Sequence, residues 1–137
     1  MITYTTNPSE IQSHQLIGFF EGWSNPPSPE THLRVLGNSS HVVLALTPVR
    51  EVVGFVSALS DGVLTAYVSL LEVRPSHRRQ GIGRQLVQRL LRQLGPLYSI
   101  NLHCDPALRP FYESVGMRVL GGMAIRDYAT QAGRRAT

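Results

Sequence analysis

The chain has 137 residues with a formal net charge of +4, and 42% of its residues are hydrophobic. This length and this apolar share predict one domain with one core and exclude a disordered polyelectrolyte. The sequence has no apolar run of the roughly 20 residues that a membrane helix needs, and no signal-peptide pattern. It has one cysteine, Cys104, which excludes a disulfide within the chain. We therefore expect a cytoplasmic protein without a membrane partner.

The first elements are a strand and two helices. Residues 2–5 predict a short strand. Residues 9–20 predict a helix, because apolar positions recur at helical spacing after a serine that can cap it. The three prolines that follow cannot continue a helix. Ser28 and Pro29 then fit the cap and the first position of a second helix, which we expect to end near Gly37.

Three strand-like runs follow, at residues 41–47, 51–59 and 63–73. An Asp-Gly pair at 61–62 predicts a hairpin turn between the second and the third run. In the third run the alternation of apolar and polar residues slips at residues 69–72, which predicts a β-bulge.

A loop at residues 75–83 precedes an amphipathic helix that stops at Gly95 and Pro96. The apolar stripe of this helix consists of Ile82, Leu86, Val87, Leu90, Leu91 and Leu94. Residues 97–104 then predict another strand.

The end of the chain predicts a helix and a hairpin. Asp105 and Pro106 fit a helix start, and Gly116 fits its C-terminal cap. Residues 117–120 and 123–128 predict two strands around a pair of glycines.

The order of these elements predicts a mixed α/β (α+β) fold in a single domain over residues 1–128, followed by a flexible tail at 129–137. The central strand–helix–strand unit predicts a parallel crossover, with a ligand crevice at the carboxyl ends of its strands.

The charge is unevenly distributed. All 13 basic residues are arginines, and no acidic residue lies between Glu72 and Asp105. Six arginines fall in that stretch: Arg74, Arg78, Arg79, Arg84, Arg89 and Arg92. A positive field of this kind attracts a phosphate-bearing partner, although a solvated helix face would give the same pattern.

The loop before the long helix carries the pattern Arg78-x-x-Gly81-x-Gly83. Glycines let the backbone approach a ligand closely, and the free N–H groups at a helix start bind phosphate. The absence of lysine excludes a P-loop, and Leu86 stands where a dinucleotide-binding fingerprint needs a small residue. The alternative is a plain turn whose glycines serve packing.

This pattern, preceded by Val73-Arg74-Pro75, resembles the acetyl-CoA signature of the GNAT superfamily of N-acetyltransferases. Residues 105–117, with Tyr112 four residues before Gly116, resemble the last helix of that superfamily. The resemblance implies a GNAT-like single domain whose mixed central sheet of about six to seven strands is flanked by about four helices. It also implies acetyl-CoA as co-substrate, without a metal, and transfer of the acetyl group to a primary amine by direct attack through a tetrahedral intermediate.

The resemblance further implies where acetyl-CoA binds. The amides from Arg79 to Arg84 would hold the pyrophosphate, and the pantetheine arm would lie beside Leu71 and Val73. Asp105 stands where the family commonly has Asn, so it either contacts pantetheine or only caps a helix. The implied donor-binding residues are Leu71, Val73, Arg78, Arg79, Gln80, Gly81, Ile82, Gly83, Arg84, Asp105 and Phe111.

Two residues are candidates for catalysis. Tyr112 is the candidate acid for the departing thiolate, since a phenol with a pKa of about 10 stays protonated at neutral pH, or it is simply a core aromatic. Glu72 is the candidate base, or it pairs with Arg74 or Arg78, or water serves as base instead. A backbone N–H near Val73, freed by the bulge, would stabilise the oxyanion.

The acceptor is less constrained than the donor. The short chain favours a small-molecule amine as the acceptor, and a protein N-terminus or lysine is the alternative acceptor. A catalytically silent CoA-binding module is the alternative function. Phe19, Phe20 and Trp23 either line the acceptor site or belong to the core. The family makes a homodimer plausible. We expect no nucleic-acid partner and, because the five histidines lack paired ligand spacing, no metal.

Overall fold

The computed structural model describes residues 1–135. Its centre is a five-stranded sheet in the order β1-β2-β3-β4-β5. The neighbouring strands are antiparallel except β4 and β5, which are parallel. The strands are β1 (Thr3–Thr5), β2 (His41–Leu46), β3 (Val52–Ser60), β4 (Thr65–Val73) and β5 (Ser99–Asn101).

Three α-helices accompany the sheet: α1 (Pro29–Asn38), α2 (Ile82–Leu94) and α3 (Arg109–Glu113). One core cluster lies on one face of the sheet. It contains side chains of the irregular N-terminal segment, of β2 and β3, and Leu36 of α1. The apolar stripe of α2 packs on the opposite face of the sheet. The predicted start of α1 is confirmed, because the Ser28 side chain accepts a hydrogen bond from the N–H of Thr31 at 3.1 Å.

Short 3₁₀ turns occur at Pro8–Glu10, Ser13–Leu16, Pro75–His77, Pro106–Leu108 and Tyr128–Thr130. Within residues 1–135, no helix combines the length and the apolar content needed to cross a membrane.

The hairpin and the bulge predicted around β4 are both confirmed. Asp61 accepts hydrogen bonds through Oδ1 from three consecutive amides of the turn that joins β3 to β4. Further along, Ala58 pairs with Val68 while Ser57 pairs with Leu70, so Ser69 is the extra residue of the bulge.

The predicted helix at 9–20 is wrong. Gln12 has an extended backbone that separates two 3₁₀ turns, and Gly18 and Phe20 adopt positive φ values of 94° and 66°, which a helix cannot contain. The apolar residues of this segment are buried nevertheless, and they reach the core from an irregular chain.

The predicted sheet of six to seven strands and set of about four helices are also wrong, since the structure has five strands and three α-helices. The strand expected at 97–104 is limited to β5, and neither 117–120 nor 123–128 is a strand. The helix expected over 105–116 is a 3₁₀ turn followed by the five residues of α3. A strand is stable only beside a hydrogen-bonded neighbour, and these segments lack one in the described chain.

The segment expected as a tail begins beside the Tyr128–Thr130 turn. Gln131 accepts a hydrogen bond from the N–H of Asn25 at 2.9 Å, and the Arg134 carbonyl accepts one from Arg34. The remainder of the predicted tail, residues 136 and 137, lies outside the described residues.

A histidine is buried in the aromatic core. His32 is fully buried, and its ring lies 4.4 Å from that of Phe55 and 4.8 Å from that of Phe20. Neither ring nitrogen has a hydrogen-bond partner. Burial, with a smaller contribution from the charge of Arg74, lowers the pKa of His32 to about 4.

This shift predicts a pH-dependent stability. Between pH 6.5 and pH 4 the unfolded chain binds a proton that the folded chain does not, so stability falls as the pH falls through this window. From pH 7 to pH 5 this single group is expected to remove roughly 2 kcal/mol of the free energy of unfolding. His32→Leu should abolish that part of the pH dependence in urea unfolding. The exposed His14→Leu is the control, and an equal pH dependence in all three proteins would contradict the assignment.

Candidate functional site

The loop before α2 presents a row of unpaired amides. Arg79 and Gly81 have positive φ values of 63° and 81°, and these turn the chain so that α2 starts without a side-chain cap. Among the described residues, no backbone N–H from Arg79 to Arg84 donates a hydrogen bond within the chain, and the first bond of α2 is from Gln85 N–H to the Gly81 carbonyl at 3.0 Å. Six consecutive free donors at the positive end of a helix form a cradle for an anion.

The two glycines of this loop serve different purposes. Gly81 lies in the left-handed region, which a residue with a Cβ adopts at a cost, and the space beside it is open. A Cβ at Gly83 would lie 3.6 Å from the Phe111 ring and 3.7 Å from a Val73 methyl, which is ordinary contact. The packing of α2 against α3 and β4 therefore does not require a glycine at position 83, and Phe111 closes that side of the loop.

The arginines around the loop divide into two groups. Arg78 donates to the Val73 carbonyl and forms an ion pair with Glu21, both at 3.0 Å. Arg84 donates to the side chain of Ser114 at 2.8 Å. Arg79 makes no hydrogen bond or ion pair within the described residues, so it is the arginine that is free to meet a phosphate.

The second half of β4 has an open edge. β4 pairs with β5 only from Thr65 to Tyr67. The N–H of Arg74 donates to the Val53 carbonyl of β3 at 2.8 Å, so the alternation of an antiparallel pair turns the N–H groups of Leu71 and Val73 away from β3. These amides face the side where β5 is missing, and an extended ligand with its own amides can bind there as an added strand.

Tyr112 lies at the wall of a cavity of about 360 Å³. Its ring is buried and lies 5.0 Å from that of Phe111. Burial, with a smaller contribution from Cys104, raises the pKa of Tyr112 to about 12. The hydroxyl therefore remains a proton donor at any physiological pH.

Glu72 fixes an irregular turn against β4. Its carboxylate accepts hydrogen bonds from the N–H groups of Phe20 at 2.8 Å and Glu21 at 3.3 Å. The two arginines considered as its partners make other contacts, since Arg78 pairs with Glu21 and Arg74 donates to backbone carbonyls. A carboxylate offers about four lone-pair positions, so these two amides leave it able to accept from a further donor.

A second cavity, of about 680 Å³, lies beside the first. It is lined by aromatic and charged side chains, among them Trp23, Asp105, Arg126, Asp127 and Tyr128. Asp105 occupies the N-cap position of its 3₁₀ turn, and its side chain makes no capping hydrogen bond there. Of the three N-terminal aromatics considered for the acceptor site, only Trp23 lines this cavity, and Phe19 and Phe20 belong to the core.

A polar pair that was not predicted from the sequence lies between the two cavities. The Tyr67 hydroxyl lies 2.8 Å from Nδ1 of His103, and both residues line both cavities. Tyr67 pairs with Asn101 across the parallel strands, and residue 103 is on the same face as residue 101. The pair could have been found only from the β4–β5 register. In the described residues, no group of three or more His, Cys, Asp or Glu side chains is arranged to hold a metal ion.

The cradle before α2 and the open edge of β4 together offer free backbone groups for an anionic ligand with an extended, amide-containing part. The model of the Acetyltransferase (GNAT) family matches residues 9–117, and the chain belongs to this family. Transfer of an acetyl group from acetyl-CoA is general to the family.

Relatives agree with this placement. A crystal structure of a Deinococcus radiodurans R1 protein, assigned as an acetyltransferase, is 47% identical to this chain and superposes with a TM-score of 0.97, covering 98% of this chain and 94% of that one. The GCN5-related N-acetyltransferase 3, chloroplastic, of Arabidopsis thaliana is 39% identical over 84 residues, which are 59% of this chain and 35% of the relative. The serotonin N-acetyltransferase of Mesocricetus auratus is 37% identical over 67 residues, or 47% and 32% of the two chains. The matched regions span about a third of the length of these two curated relatives.

A negative charge in the loop before α2 should weaken the binding of acetyl-CoA. Gly83→Asp places a carboxylate beside the free amides and is expected to weaken acetyl-CoA binding roughly tenfold or more through repulsion of the pyrophosphate. Gly83→Asn has nearly the same shape without the charge and is the matched control. Calorimetric titration of both variants checks the expectation, and equal affinities in the two folded proteins would remove the loop from donor binding.

Proposed function

We propose that this protein is an N-acetyltransferase that moves the acetyl group of acetyl-CoA to a primary amine by direct attack of the amine on the thioester. The observation that carries the proposal is the row of six unpaired amides at the start of α2, next to the open edge of β4. A diphosphate and an amide-containing arm are both parts of coenzyme A, and the free backbone groups match these two parts. Acetyl-CoA supplies an activated acyl group, while the chain binds and orients it.

The donor is held by backbone groups and by one free arginine. In this proposal the amides from Arg79 to Arg84 bind the pyrophosphate, and the guanidinium of Arg79 adds a charge-assisted contact. The Leu71 and Val73 amides hydrogen-bond the pantetheine arm. When the thioester is attacked, the N–H of Val73 is the donor that supports the oxyanion, because its strand is fixed by β3 and needs no reorganisation, and Leu71 then remains the donor to the arm. The Phe111 ring keeps the arm against α2.

Tyr112 is the proposed acid. Tyr112 lines the first cavity and its hydroxyl is protonated at neutral pH, so it can donate to a thiolate that leaves. Burial excludes water from most of its ring, which strengthens a hydrogen bond to a developing negative charge.

Glu72 is the proposed base. It lies on β4 within the same stretch as Leu71 and Val73, and two amides hold its carboxylate in one position. A carboxylate held in this way can accept a proton from an ammonium without first changing its rotamer. A water molecule bound to the same carboxylate would serve the same role at longer range.

A small amine is the proposed acceptor. The second cavity combines the aromatic rings of Trp23 and Tyr128 with the carboxylates of Asp105 and Asp127. Aromatic faces and carboxylates together attract a compact cation with an apolar body. The hamster relative is named as a serotonin N-acetyltransferase, which supports an amine of this class. A cytoplasmic location is proposed from the single cysteine.

Turnover tests the proposal as a whole. We expect release of the CoA thiol to depend on an aryl- or alkylamine, with little activity on peptides that carry a free N-terminus or lysine. Activity on peptides alone would favour the protein acceptor. Binding of acetyl-CoA without release of thiol for any amine would favour a silent binding module.

Removal of the proposed acid should slow the chemical step. Tyr112→Phe keeps the ring and removes the hydroxyl, so kcat is expected to fall roughly 10²-fold or more while acetyl-CoA affinity stays nearly unchanged. Steady-state kinetics and calorimetry check the two quantities. A wild-type kcat in this variant would exclude the role.

The proposed base has its own pH signature. Glu72→Gln should lower kcat/KM most at mildly acidic pH, and the defect should shrink as the pH rises toward the pKa of the acceptor amine, because the amine is then already neutral. If Glu72 only holds the Phe20–Glu21 turn, the variant loses thermal stability while its pH profile keeps the wild-type shape. Parallel pH profiles would therefore remove Glu72 from proton transfer.

A further inference from the structure

The proposed reaction leaves one proton without an acceptor. An ammonium that becomes an amide loses two protons from its nitrogen, and the thiolate that leaves gains one. Glu72 takes the first nitrogen proton before attack, and Tyr112 supplies the proton of the thiol. The neutral amine keeps its remaining protons until it has attacked, when the nitrogen becomes positively charged and must lose one. A second acceptor beside the reacting atoms is therefore needed.

The two cavities indicate where this acceptor lies. The amine is proposed to occupy the cavity of about 680 Å³, and the thiolate leaves beside Tyr112 in the cavity of about 360 Å³. The bond between amine and acetyl group forms where the two cavities adjoin, so the acceptor is expected to line both. Among the described residues three do so, and they are Tyr67, His103 and Cys104.

Two of these three residues form a path for a proton. The Tyr67 hydroxyl lies 2.8 Å from Nδ1 of His103, and the centroids of the two rings lie 5.5 Å apart. When the neutral imidazole carries its proton on Nε2, Nδ1 accepts a hydrogen bond from the Tyr67 hydroxyl. The phenolic oxygen then keeps its lone pairs for a donor in the cavity. Cys104 offers only a thiol, which is a weak acceptor.

The position of the imidazole is built into the fold. Tyr67 is held by the last pairing of β4 with β5, opposite Asn101, and His103 follows on the same face where the two strands part. On the other side of the ring, a Cβ at Gly122 would lie 2.9 Å from Nε2. Only a glycine lets the chain pass at this distance without moving the ring. His103 is also exposed to solvent, which gives a proton on its ring a way out to water.

We propose that Tyr67 and His103 together accept the second nitrogen proton during acetyl transfer, an inference that rests on the proposed function. After the C–N bond has formed, the positively charged nitrogen gives a proton to the Tyr67 oxygen, and the Tyr67 proton moves to Nδ1 of His103. Histidine is the side chain that most readily accepts a proton near neutral pH. Tyr67 contacts the amine and is the catalytic member of the pair, and His103 acts through it.

This relay closes the proton balance of one turnover. The C–S bond breaks as the nitrogen loses its charge, and the thiolate takes the proton of Tyr112. Glu72 and the imidazolium of His103 each return one proton to water, and Tyr112 recovers one from water. Two protons thus leave nitrogen, one reaches sulfur and one is released.

Loss of either member should slow the chemistry without weakening donor binding. Tyr67→Phe removes only the hydroxyl, and His103→Asn keeps a hydrogen-bond acceptor near Nδ1 that cannot take a proton. We expect kcat to fall roughly tenfold or more in both variants, while calorimetry gives nearly unchanged acetyl-CoA affinity. The matched controls Tyr98→Phe and His14→Asn change exposed residues outside both cavities and should keep the wild-type kcat. A wild-type kcat in Tyr67→Phe or in His103→Asn would overturn the proposal.

Chemical rescue separates proton acceptance from a structural role. His103→Ala leaves a space beside the Tyr67 hydroxyl that free imidazole can occupy. Added imidazole is expected to restore formation of the acetylated amine in this variant, with saturation, and to leave the wild type and Glu72→Gln unchanged. The acetylated amine is measured against a reaction without enzyme, since imidazole itself accepts acetyl groups. No rescue, or an equal effect on all three proteins, would give His103 a structural role only and contradict the proposal.

The timing of the second proton distinguishes the pair from Glu72. At a pH above the pKa of the acceptor amine, the amine enters already neutral, so the defect of Glu72→Gln should be small. The second proton still has to leave after attack, so the defect of Tyr67→Phe should persist under the same conditions. A Tyr67→Phe defect that disappears together with that of Glu72→Gln would assign both residues to the first proton and end the proposal.

The same assays keep this inference separate from the proposed function. A wild-type protein that releases no thiol with any amine would end both. Wild-type turnover together with an unchanged kcat in the Tyr67 and His103 variants would leave the proposed function intact and remove the pair from it.

Discussion

Beyond Tyr67, β4 has a hydrogen-bonded neighbour on one side only. β5 leaves it after three paired residues, and the extra residue Ser69 shifts the remaining ladder to β3. A buried sheet normally pairs its backbone groups, so an open edge in the middle of a fold requires another partner. The donor site follows from this constraint, because the unpaired groups of Leu71 and Val73 lie beside the loop that holds the free amides.

The loop and the strand are kept in place by contacts that leave their donors unused. Arg78 ties the loop to the Val73 carbonyl and to Glu21, while Glu72 accepts from the amides of Phe20 and Glu21. These bonds connect the irregular N-terminal segment to β4 at one point. The positive φ of Phe20 is stabilised there, since its amide is bound by the carboxylate. The cradle is thus fixed before any ligand arrives, which lowers the cost of binding.

The sequence predicted those parts of the site that depend on neighbours along the chain. The turn at Gly81, the amphipathic stripe of α2 and the bulge near Ser69 each follow from local pattern, and the structure contains all three. The contact of Glu72 with Phe20 could not be predicted, because 52 residues separate the two and the irregular segment was taken for a helix. The Tyr67–His103 pair required the register of two parallel strands. The strands expected after residue 101 failed for a different reason: their sequence favours strands, but no neighbouring strand pairs with them in the described residues.

Amide hydrogen exchange measured by NMR, with and without acetyl-CoA, tests the central claim directly. If the free amides form the donor site, saturation with acetyl-CoA should slow exchange about tenfold or more at residues 79–84 and at Leu71 and Val73, because each gains a bonded acceptor. The amide of Val63, which already donates to Asp61, should not change. Acetyl-CoA that binds without slowing exchange at residues 79–84 would contradict the account.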